Sequence, residues 1–428
     1  MIPEIATAPM GIARTEARAT EQLSSVSAPA RSLAEVLAPL SAADFLSGFF
    51  GKNFYRSSGR PGRFAKLLPW TELNQLLRHH RFDVPRLRLV REGKAIPADT
   101  YIFYQTAQRR PYSRTARLRP VEIVRQLRGG ATLIIDSVDE IHEPITELAE
   151  DLESALCSRI QVNMYAGWRS SRGFDLHWDD HDVLILQVSG RKRWKVYPMT
   201  REHPLPADAD RNLSPPDTPL WEGLLEDGDA LYIPRGWWHV AVPLDEPTLH
   251  LTVGLHNRTG FDFLSWYQER LCEHAAVRQD LPRFATAKEK AAYMRQLQDA
   301  WTKDWSAGLL EEYLAHIDAR AQPRPNFALP WAATKAVLPP GDVRVKWIVP
   351  RPVVLKADSG GAIELLCHGK QWRFAASARP LLEILQEKGT CTISELHSDS
   401  LDPQVVRSFI GELLAAGLLT AIPHEPGC

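Results

Sequence analysis

The chain has 428 residues, of which 44% are hydrophobic and 24% are charged, and its formal net charge is −1. This composition is that of an ordinary folded protein, and the length allows two or three domains. The near-zero charge excludes a global attraction to nucleic acid or membrane surfaces, and no apolar run approaches the ~18 residues of a spanning helix.

The five cysteines are scattered, without the paired spacing of a disulfide framework or a zinc site. An odd and sparse set of cysteines is typical of a reducing compartment. The first residues also lack the basic and apolar regions of a signal peptide. We therefore expect a cytoplasmic protein.

Residues 1–30 are rich in alanine, serine and threonine, and we expect them to form a mobile tail. After this tail, apolar periodicity and capping residues such as Ser41 predict a series of short elements. The predicted helices lie at 32–40, 41–46, 70–77 and 145–155, and the predicted strands at 87–90, 131–136, 161–165, 183–188, 191–198 and 248–254.

A metal-binding pattern follows the strand at 161–165. In His177-Trp-Asp179, the outer two side chains point to the same face of an extended segment, so both can reach one metal ion. His239, at the end of the segment Gly228-Asp-Ala-Leu-Tyr-Ile-Pro-Arg-Gly-Trp-Trp-His239, would be the third ligand. A His-x-Asp pair is common by chance, but the buried strand after it favours a metal site over a polar turn. Two imidazoles and one carboxylate form the facial triad of non-haem Fe(II) oxygenases.

The strand at 191–198 carries an unusual lysine. Ser189-Gly190 predicts a tight hairpin turn between this strand and the preceding one. Alternation then places Lys192 on the same face as Trp194 and Val196. A lysine on such an apolar face either extends its amine to water or meets a buried anion. A cosubstrate carboxylate would be such an anion.

These motifs together resemble the JmjC-type 2-oxoglutarate oxygenases, in particular the ribosomal oxygenases that hydroxylate arginine or histidine in ribosomal proteins. The resemblance is carried by His177-Trp-Asp179, by Gly190-Arg-Lys-Arg-Trp194 and by the Gly-Asp-x-Leu-Tyr-Ile-Pro-x-Gly-Trp-x-His239 segment. It implies a cupin-type double-stranded β-helix, with Fe(II) as cofactor and with 2-oxoglutarate and O2 as cosubstrates. His177, Asp179 and His239 would then be both the metal ligands and the catalytic residues.

The resemblance also implies roles around 2-oxoglutarate. Lys192 would pair with its far carboxylate, while Tyr165 and Asn163 occupy positions that surround this cosubstrate in the family. For Asn163, capping of a sheet face is an equally good interpretation. On the strand at 248–254, Thr252 and His250 share a face and are candidates for the surroundings of the site. A hydrogen-bonded core histidine is at least as good an interpretation for His250.

The last third of the chain has a different pattern of apolar residues. Apolar residues recur at helical spacing between 262 and 321, which predicts a helical block. The resemblance implies that this block is a dimerisation module, although a domain connector would show the same pattern. Residues 342–428 resemble a winged helix, with a helix predicted at 393–397 among others. From 361 to 428 there are five Lys/Arg against eight Asp/Glu, which disfavours DNA and favours a structural or protein-binding role.

We therefore predict a mixed α and β protein with a flexible tail at 1–30, a JmjC/cupin oxygenase domain at 31–258, a helical dimerisation domain with linker at 259–335 and a winged-helix domain at 336–428. The predicted activity is hydroxylation of a protein or peptide side chain, with a ribosomal protein as one candidate substrate. An N-methyl demethylase and a peptide-tailoring hydroxylase are alternatives. A non-catalytic cupin and winged-helix regulatory protein is an alternative of another class.

Overall fold

The computed structural model describes residues 6–8, 32–107, 110–170, 173–208, 213–333, 338, 341–396 and 402–422. The chain divides into two compact units, one at 24–257 and one formed by 1–23 together with 258–428. Apart from a strand at Ala6–Ala8, the predicted tail at 1–30 lies outside the described residues. No described helix combines the length and the apolar surface that a membrane span requires.

The elements are numbered along the whole chain. The strands are β1 Ala6–Ala8, β2 Tyr55–Ser57, β3 Leu87–Arg91, β4 Lys94–Ala95, β5 Ile102–Ala107, β6 Arg110–Leu118, β7 Thr132–Ile135, β8 Arg159–Gly167, β9 Asp182–Ser189, β10 Lys192–Tyr197, β11 Trp221–Leu225, β12 Ala230–Ile233, β13 Trp238–Pro243, β14 Thr248–His256, β15 Arg344–Trp347, β16 Lys356–Ala357, β17 Ile363–Cys367, β18 Lys370–Phe374, β19 Thr390–Thr392 and β20 Leu419–Ile422. The helices are α1 Leu33–Leu37, α2 Ala42–Gly48, α3 Trp70–His79, α4 Ala98–Tyr101, α5 Pro120–Arg128, α6 Glu143–Leu156, α7 Gly260–Leu271, α8 Ala275–Arg278, α9 Ala287–Lys303, α10 Leu309–Arg320, α11 Arg379–Lys388 and α12 Pro403–Ala415.

Local sequence signals account for the first helices. Ser32 begins α1 with a reciprocal capping box to Glu35, and the Ser41 hydroxyl accepts a hydrogen bond from the Asp44 amide at 3.0 Å. These contacts satisfy amides that the first turn of a helix leaves without partners. The helix predicted at 145–155 is α6, and its apolar positions at i, i+3, i+4 and i+7 are all buried.

Two antiparallel sheets form the core of the 24–257 unit, and β5 and β6 pair in a separate two-stranded sheet. The larger has the order β2-β12-β9-β14-β8-β7-β3-β4, and the smaller has the order β11-β10-β13. Alternate side chains of the large sheet, such as Met164 and Leu251, pack with the helices into the main core. The side chains between them, such as Ile185, pack with Trp194 and Val196 of the small sheet. This β-rich core is consistent with the expected cupin-type fold, and the surface between the sheets carries the candidate site.

The hairpin predicted at Ser189-Gly190 is wrong. Strand β9 pairs with β12 and β14, whereas β10 pairs with β11 and β13, so the turn connects two sheets. Both edges of β9 are therefore already occupied, and β10 cannot pair with it. Gly190 is required here because its φ is +67° and a Cβ would lie 2.1 Å from the Pro247 carbonyl oxygen.

The second unit contains a helical part and a mixed part. Helices α7 and α10 share an apolar cluster around Trp266, Tyr267 and Tyr313. The mixed part contains the sheets β1-β18-β17-β16 and β19-β15-β20 together with α11 and α12. The helix predicted at 393–397 is instead a single 3-10 turn at Ser394–Leu396, and residue 397 lies outside the described residues. Thr392 and Glu395 exchange two hydrogen bonds in a capping box that begins this turn.

Candidate metal centre and anion site

The three predicted metal ligands meet in the structure. His177 and Asp179 lie just before β9, and His239 lies on β13. His177 and His239 form an antiparallel bridge, with both amide-to-carbonyl hydrogen bonds present at 3.2 and 2.8 Å. One potential ligand atom from each of the three side chains lies within 4.8 Å of the others. The small sheet and the segment before β9 thus bring the triad together across sixty residues of sequence.

Backbone carbonyls orient both imidazoles. The Nδ1 atom of His177 lies 2.8 Å from the Asp175 carbonyl oxygen, and Nδ1 of His239 lies 3.0 Å from the Trp237 carbonyl oxygen. A carbonyl only accepts, so each Nδ1 carries the proton and each Nε2 keeps its lone pair. The Nε2 atoms lie 3.9 and 3.5 Å from the Asp179 carboxylate oxygens. This donor set and this orientation fit a divalent metal ion.

The electrostatics keep Asp179 ionised. Burial opposes ionisation of this carboxyl group, but the adjacent His239 and His177 hold its pKa well below the usual range. Burial, together with the nearby His239, lowers the pKa of His177. An ionised carboxylate beside an imidazole with a free lone pair is the state in which these residues bind metal.

Lys192 is buried on the inner face of the small sheet, and its surroundings are called the Lys192 pocket below. Its side chain faces inward with Trp194 and Val196, as predicted, and the residue is only 4% exposed. The Nζ atom lies 3.2 Å from Nδ1 of His250 on β14. Lys192 forms no ion pair with any described residue, and burial lowers the pKa of its amine to about 7. A buried amine of this kind gains most from an anionic ligand.

Aromatic rings enclose this pocket. The Tyr165 ring stacks on the His250 imidazole with centroids 4.9 Å apart and planes 7° apart. Trp194 presents its edge to His250 at 5.6 Å and lies 6.3 Å from the His239 ring. Burial raises the pKa of Tyr165, so its phenol is neutral. One indole therefore separates the anion pocket from the metal triad.

The other two predicted cosubstrate residues lie farther along the same face. Thr252 is the cross-strand partner of Asn163, two pairs beyond His250 and Tyr165 and therefore on the same face. The Asn163 side-chain oxygen accepts a hydrogen bond from the Ser137 amide at 2.9 Å. Ser137 has a φ of +52°, which is unusual for a residue other than glycine. Asn163 therefore supports a strained turn, as the sheet-capping interpretation allowed.

Two features of this surface escaped the sequence analysis. Arg88 on β3 makes a two-point ion pair with Asp136 after β7, at 2.8 and 2.9 Å. Phe174 packs 5.8 Å from the His177 ring and 6.1 Å from the Tyr165 ring. The sequence does not show the Arg88–Asp136 contact or the Phe174–Tyr165 contact, because each joins segments whose proximity depends on the fold. The inward alternation of Arg88 in a short apolar strand was the available signal.

Comparison with known proteins agrees with this geometry. Residues 139–263 match the family described as JmjC domain. Over 247 residues the chain is 28% identical to the bifunctional lysine-specific demethylase and histidyl-hydroxylase NO66 of Drosophila persimilis, covering 54% of this chain and 32% of that protein. Over 246 residues it is 30% identical to ribosomal oxygenase 1 of Gallus gallus, covering 52% of this chain and 37% of that protein.

A solved structure extends the similarity in fold. The Escherichia coli ribosomal oxygenase YcfD, in complex with cobalt and 2-oxoglutarate, superposes with a TM-score of 0.56 and 19% identity. The superposition covers 90% of this chain and 99% of that one. The curated relatives are much longer, and the matches span about a third of their length. Residues beyond the catalytic region are thus comparable with the bacterial structure in fold alone.

Proposed function

We propose, from the premise that residues 139–263 match the JmjC domain family, that the protein is an Fe(II)- and 2-oxoglutarate-dependent oxygenase that hydroxylates a side chain of a polypeptide. The observation that carries the proposal is the position of the triad and Lys192 on either side of the Trp194 indole. A metal site and a buried cation so arranged suit a short dicarboxylate that contacts both.

Each residue has a role in this proposal. His177, Asp179 and His239 hold Fe(II), and Lys192 binds the far carboxylate of 2-oxoglutarate. With 2-oxoglutarate and O2, the bound iron supplies the chemistry that hydroxylates a C–H bond and releases succinate and CO2. Tyr165 and Trp194 exclude water from the Lys192 amine, which strengthens its attraction to a carboxylate.

The same proposal places Asn163 and Thr252 along the cosubstrate face. Their cross-strand pairing beside the Tyr165 and His250 pair supports a position next to the ligand. Asn163 already bonds the Ser137 amide, so its contribution to the ligand is the weaker part of this assignment.

The substrate that we favour is a side chain of a ribosomal protein. The names of the fly and chicken relatives, histidyl-hydroxylase and ribosomal oxygenase, support a protein substrate. The fly name also includes lysine demethylation, so N-methyl demethylation is the second candidate. Nucleic acid is not the substrate in this proposal, because the chain has no net positive charge.

Parallel incubations test the activity and the substrate together. The protein with Fe(II) and 2-oxoglutarate is mixed with a ribosomal-protein digest, free amino acids and oligonucleotides, and succinate and product masses are measured. A gain of about 16 Da in a peptide supports hydroxylation, since one oxygen atom is added, whereas methyl loss supports demethylation. If no succinate forms with any of the three substrates, the non-catalytic alternative is favoured. A product found only among amino acids or oligonucleotides would overturn the substrate class.

We further propose that the protein is a homodimer assembled through α7 to α10. In this helical block, large apolar side chains remain exposed at Leu264, Met294, Trp301, Trp305, Leu310 and Leu314. Exposed apolar surface of this kind marks an interaction site, and a two-fold interface would cover it. Light scattering at micromolar concentration should give twice the mass of 48.2 kDa. A monomeric mass would contradict this proposal.

The domain limits and the location complete the proposal. We assign 31–258 to the oxygenase domain, 259–335 to the dimerisation domain with its linker and 336–428 to a winged helix with a structural or protein-binding role. A cytoplasmic location is supported by the odd and sparse set of cysteines, which have no paired spacing.

A further inference from the structure

The hydrogen bond between Lys192 and His250 has an unusual composition. It joins two basic side chains, and both residues are nearly inaccessible, at 4% and 3% exposure. An amine that is charged has only N–H donors and no lone pair. Opposite a charged amine, the imidazole is therefore neutral and accepts the bond through Nδ1. Burial, together with the neighbouring Lys192, lowers the pKa of His250 well below its usual value, which agrees with a neutral ring.

The packing around His250 fixes this arrangement. Tyr165 stacks on one face of the imidazole, and Trp194 presents its edge to it. Rotation of a ring held in this way would remove Nδ1 from the amine, and the stacked phenol resists that rotation. Lys192 is the first residue of β10, and its long side chain has rotatable bonds that the hydrogen bond to His250 helps to restrict.

The groups that face this pair carry no charge. Strand β8 contributes Tyr165, whose phenol is neutral, and β10 contributes Trp194 beside the amine. Strand β9 contributes Gln187, the cross-strand partner of His250. Across the small sheet, Lys192 is opposite Leu225 on β11 and Pro243 on β13. Among these described residues, His250 is therefore the titratable group whose pKa the charge of Lys192 lowers.

We propose that His250 is a positioning residue of the anion site: as a neutral acceptor it holds the Lys192 amine in place and favours its charged form, so that a carboxylate binds there together with a proton. This inference rests on the proposed function for the identity of the ligand, 2-oxoglutarate. The part that concerns the two side chains alone does not depend on that ligand.

The sign of the proton linkage follows from the two states of Lys192. Without ligand, burial lowers the pKa of the amine to about 7. A bound carboxylate favours the charged amine and raises that pKa. At a pH between the pKa of the ligand-free amine and that of the ligand-bound amine, binding takes up one proton. The affinity therefore falls by about tenfold for each pH unit above neutrality. Below the lower value the amine is already charged, and the affinity is independent of this group.

Two measurements test the inference. In the first, the titration of Lys192 is followed by NMR of protein labelled with ¹³C-lysine, assigned with Lys192→Arg, without any ligand. In the second, 2-oxoglutarate is titrated into the Mn(II)-loaded protein by calorimetry, between pH 6 and 9 and in two buffers that differ in ionisation enthalpy. The variants are His250→Leu, which removes the acceptor, and His250→Gln, which retains one. Lys192→Arg is the matched control, because its charge does not titrate.

We expect the pH midpoint of the Lys192 titration to lie near neutrality and to fall in His250→Leu, with partial recovery in His250→Gln. Affinity should fall by roughly ten- to a hundredfold in His250→Leu, and proton uptake should vanish in Lys192→Arg. An ordinary lysine midpoint, or a midpoint and an affinity unchanged in His250→Leu, would overturn the inference. If 2-oxoglutarate does not bind the wild type while the midpoint still depends on His250, the proposed function fails and the role of His250 stands.

Discussion

The metal triad and the Lys192 pocket lie on either side of one indole, yet they are built by different means. His177 and Asp179 are two residues apart, and their side chains are 40% and 29% exposed. Lys192 depends on His250, 58 residues away on the other sheet, and both are buried. Two of the three triad ligands thus form a local pattern at an accessible edge, to which the buried His239 is added from β13, whereas both members of the Lys192–His250 pair are buried and come from different sheets.

This difference teaches how each site obtains its chemistry. The triad relies on the kind and orientation of its donors, which two backbone carbonyls fix. The pocket relies on desolvation, since burial is what lowers the pKa of Lys192 to about 7. A lysine at the surface would keep an ordinary pKa and would attract a carboxylate weakly. We therefore expect substitutions in the triad to abolish metal binding. Substitutions in the pocket should lower the affinity for the cosubstrate by different factors.

The largest expected effect is the loss of the metal. His177→Ala or His239→Ala should abolish 2-oxoglutarate turnover and metal binding while leaving the fold intact, because each removes one of three ligands. Metal content and circular dichroism measure the two expectations. His181→Ala is the matched control: it lies two residues after Asp179, but its Nδ1 bonds Asp180 and it is not part of the triad. Full activity in His177→Ala would exclude the triad.

The next effect is on the cosubstrate. Lys192→Ala should raise the KM for 2-oxoglutarate by a factor of tens to thousands, since loss of a buried charged partner costs roughly 2–5 kcal/mol. Steady-state kinetics at saturating peptide measure it. Lys195→Ala is the control on the same strand, because Lys195 faces outward and pairs with Glu222 at 3.0 Å. An unchanged KM would mean that another group binds the far carboxylate.

The same comparison explains what could be predicted from the sequence. The two-residue spacing of His177 and Asp179 and the alternation of Lys192 with Trp194 are local, and the structure brings both into the predicted orientation. The connection at Gly190 was mispredicted, because a turn signal does not specify which neighbour a strand chooses. That choice depends on which edges of β9 are already paired.

Side-chain partners across strands were the least predictable part. For His250, a hydrogen-bonded core histidine was at least as good an interpretation as a place in the surroundings of the site, and its contact with Lys192, on the other sheet, could not be read from the sequence. The pair of Arg88 and Asp136 was not predicted at all, since it requires the registered pairing of β3 with β7. Contacts of this kind follow from register, which a single sequence constrains only weakly.

A smaller effect is expected at Tyr165. Tyr165→Phe keeps the ring that stacks on His250 and removes only the hydroxyl, so the KM for 2-oxoglutarate should rise by no more than several-fold, as one hydrogen bond of about 0.5–1.5 kcal/mol allows. Tyr165→Ala removes the stacked ring as well and should cost more. Kinetics of both variants separate the ring from the hydroxyl. A Phe variant as impaired as Lys192→Ala would show that the hydroxyl carries the binding.

The smallest effect on the cosubstrate is expected at Asn163, where the structure points to stability. Asn163→Ala leaves the Ser137 amide without its acceptor in a turn with a φ of +52°, and an unsatisfied, partly buried amide costs about 1–3 kcal/mol. We therefore expect a lower free energy of unfolding in urea and little change in the KM for 2-oxoglutarate. Gln161→Ala is the control, because it removes only a side-chain bond to the Ser137 hydroxyl and should destabilise less. A steep rise in KM with unchanged stability would instead place Asn163 on the cosubstrate, as the family resemblance implied.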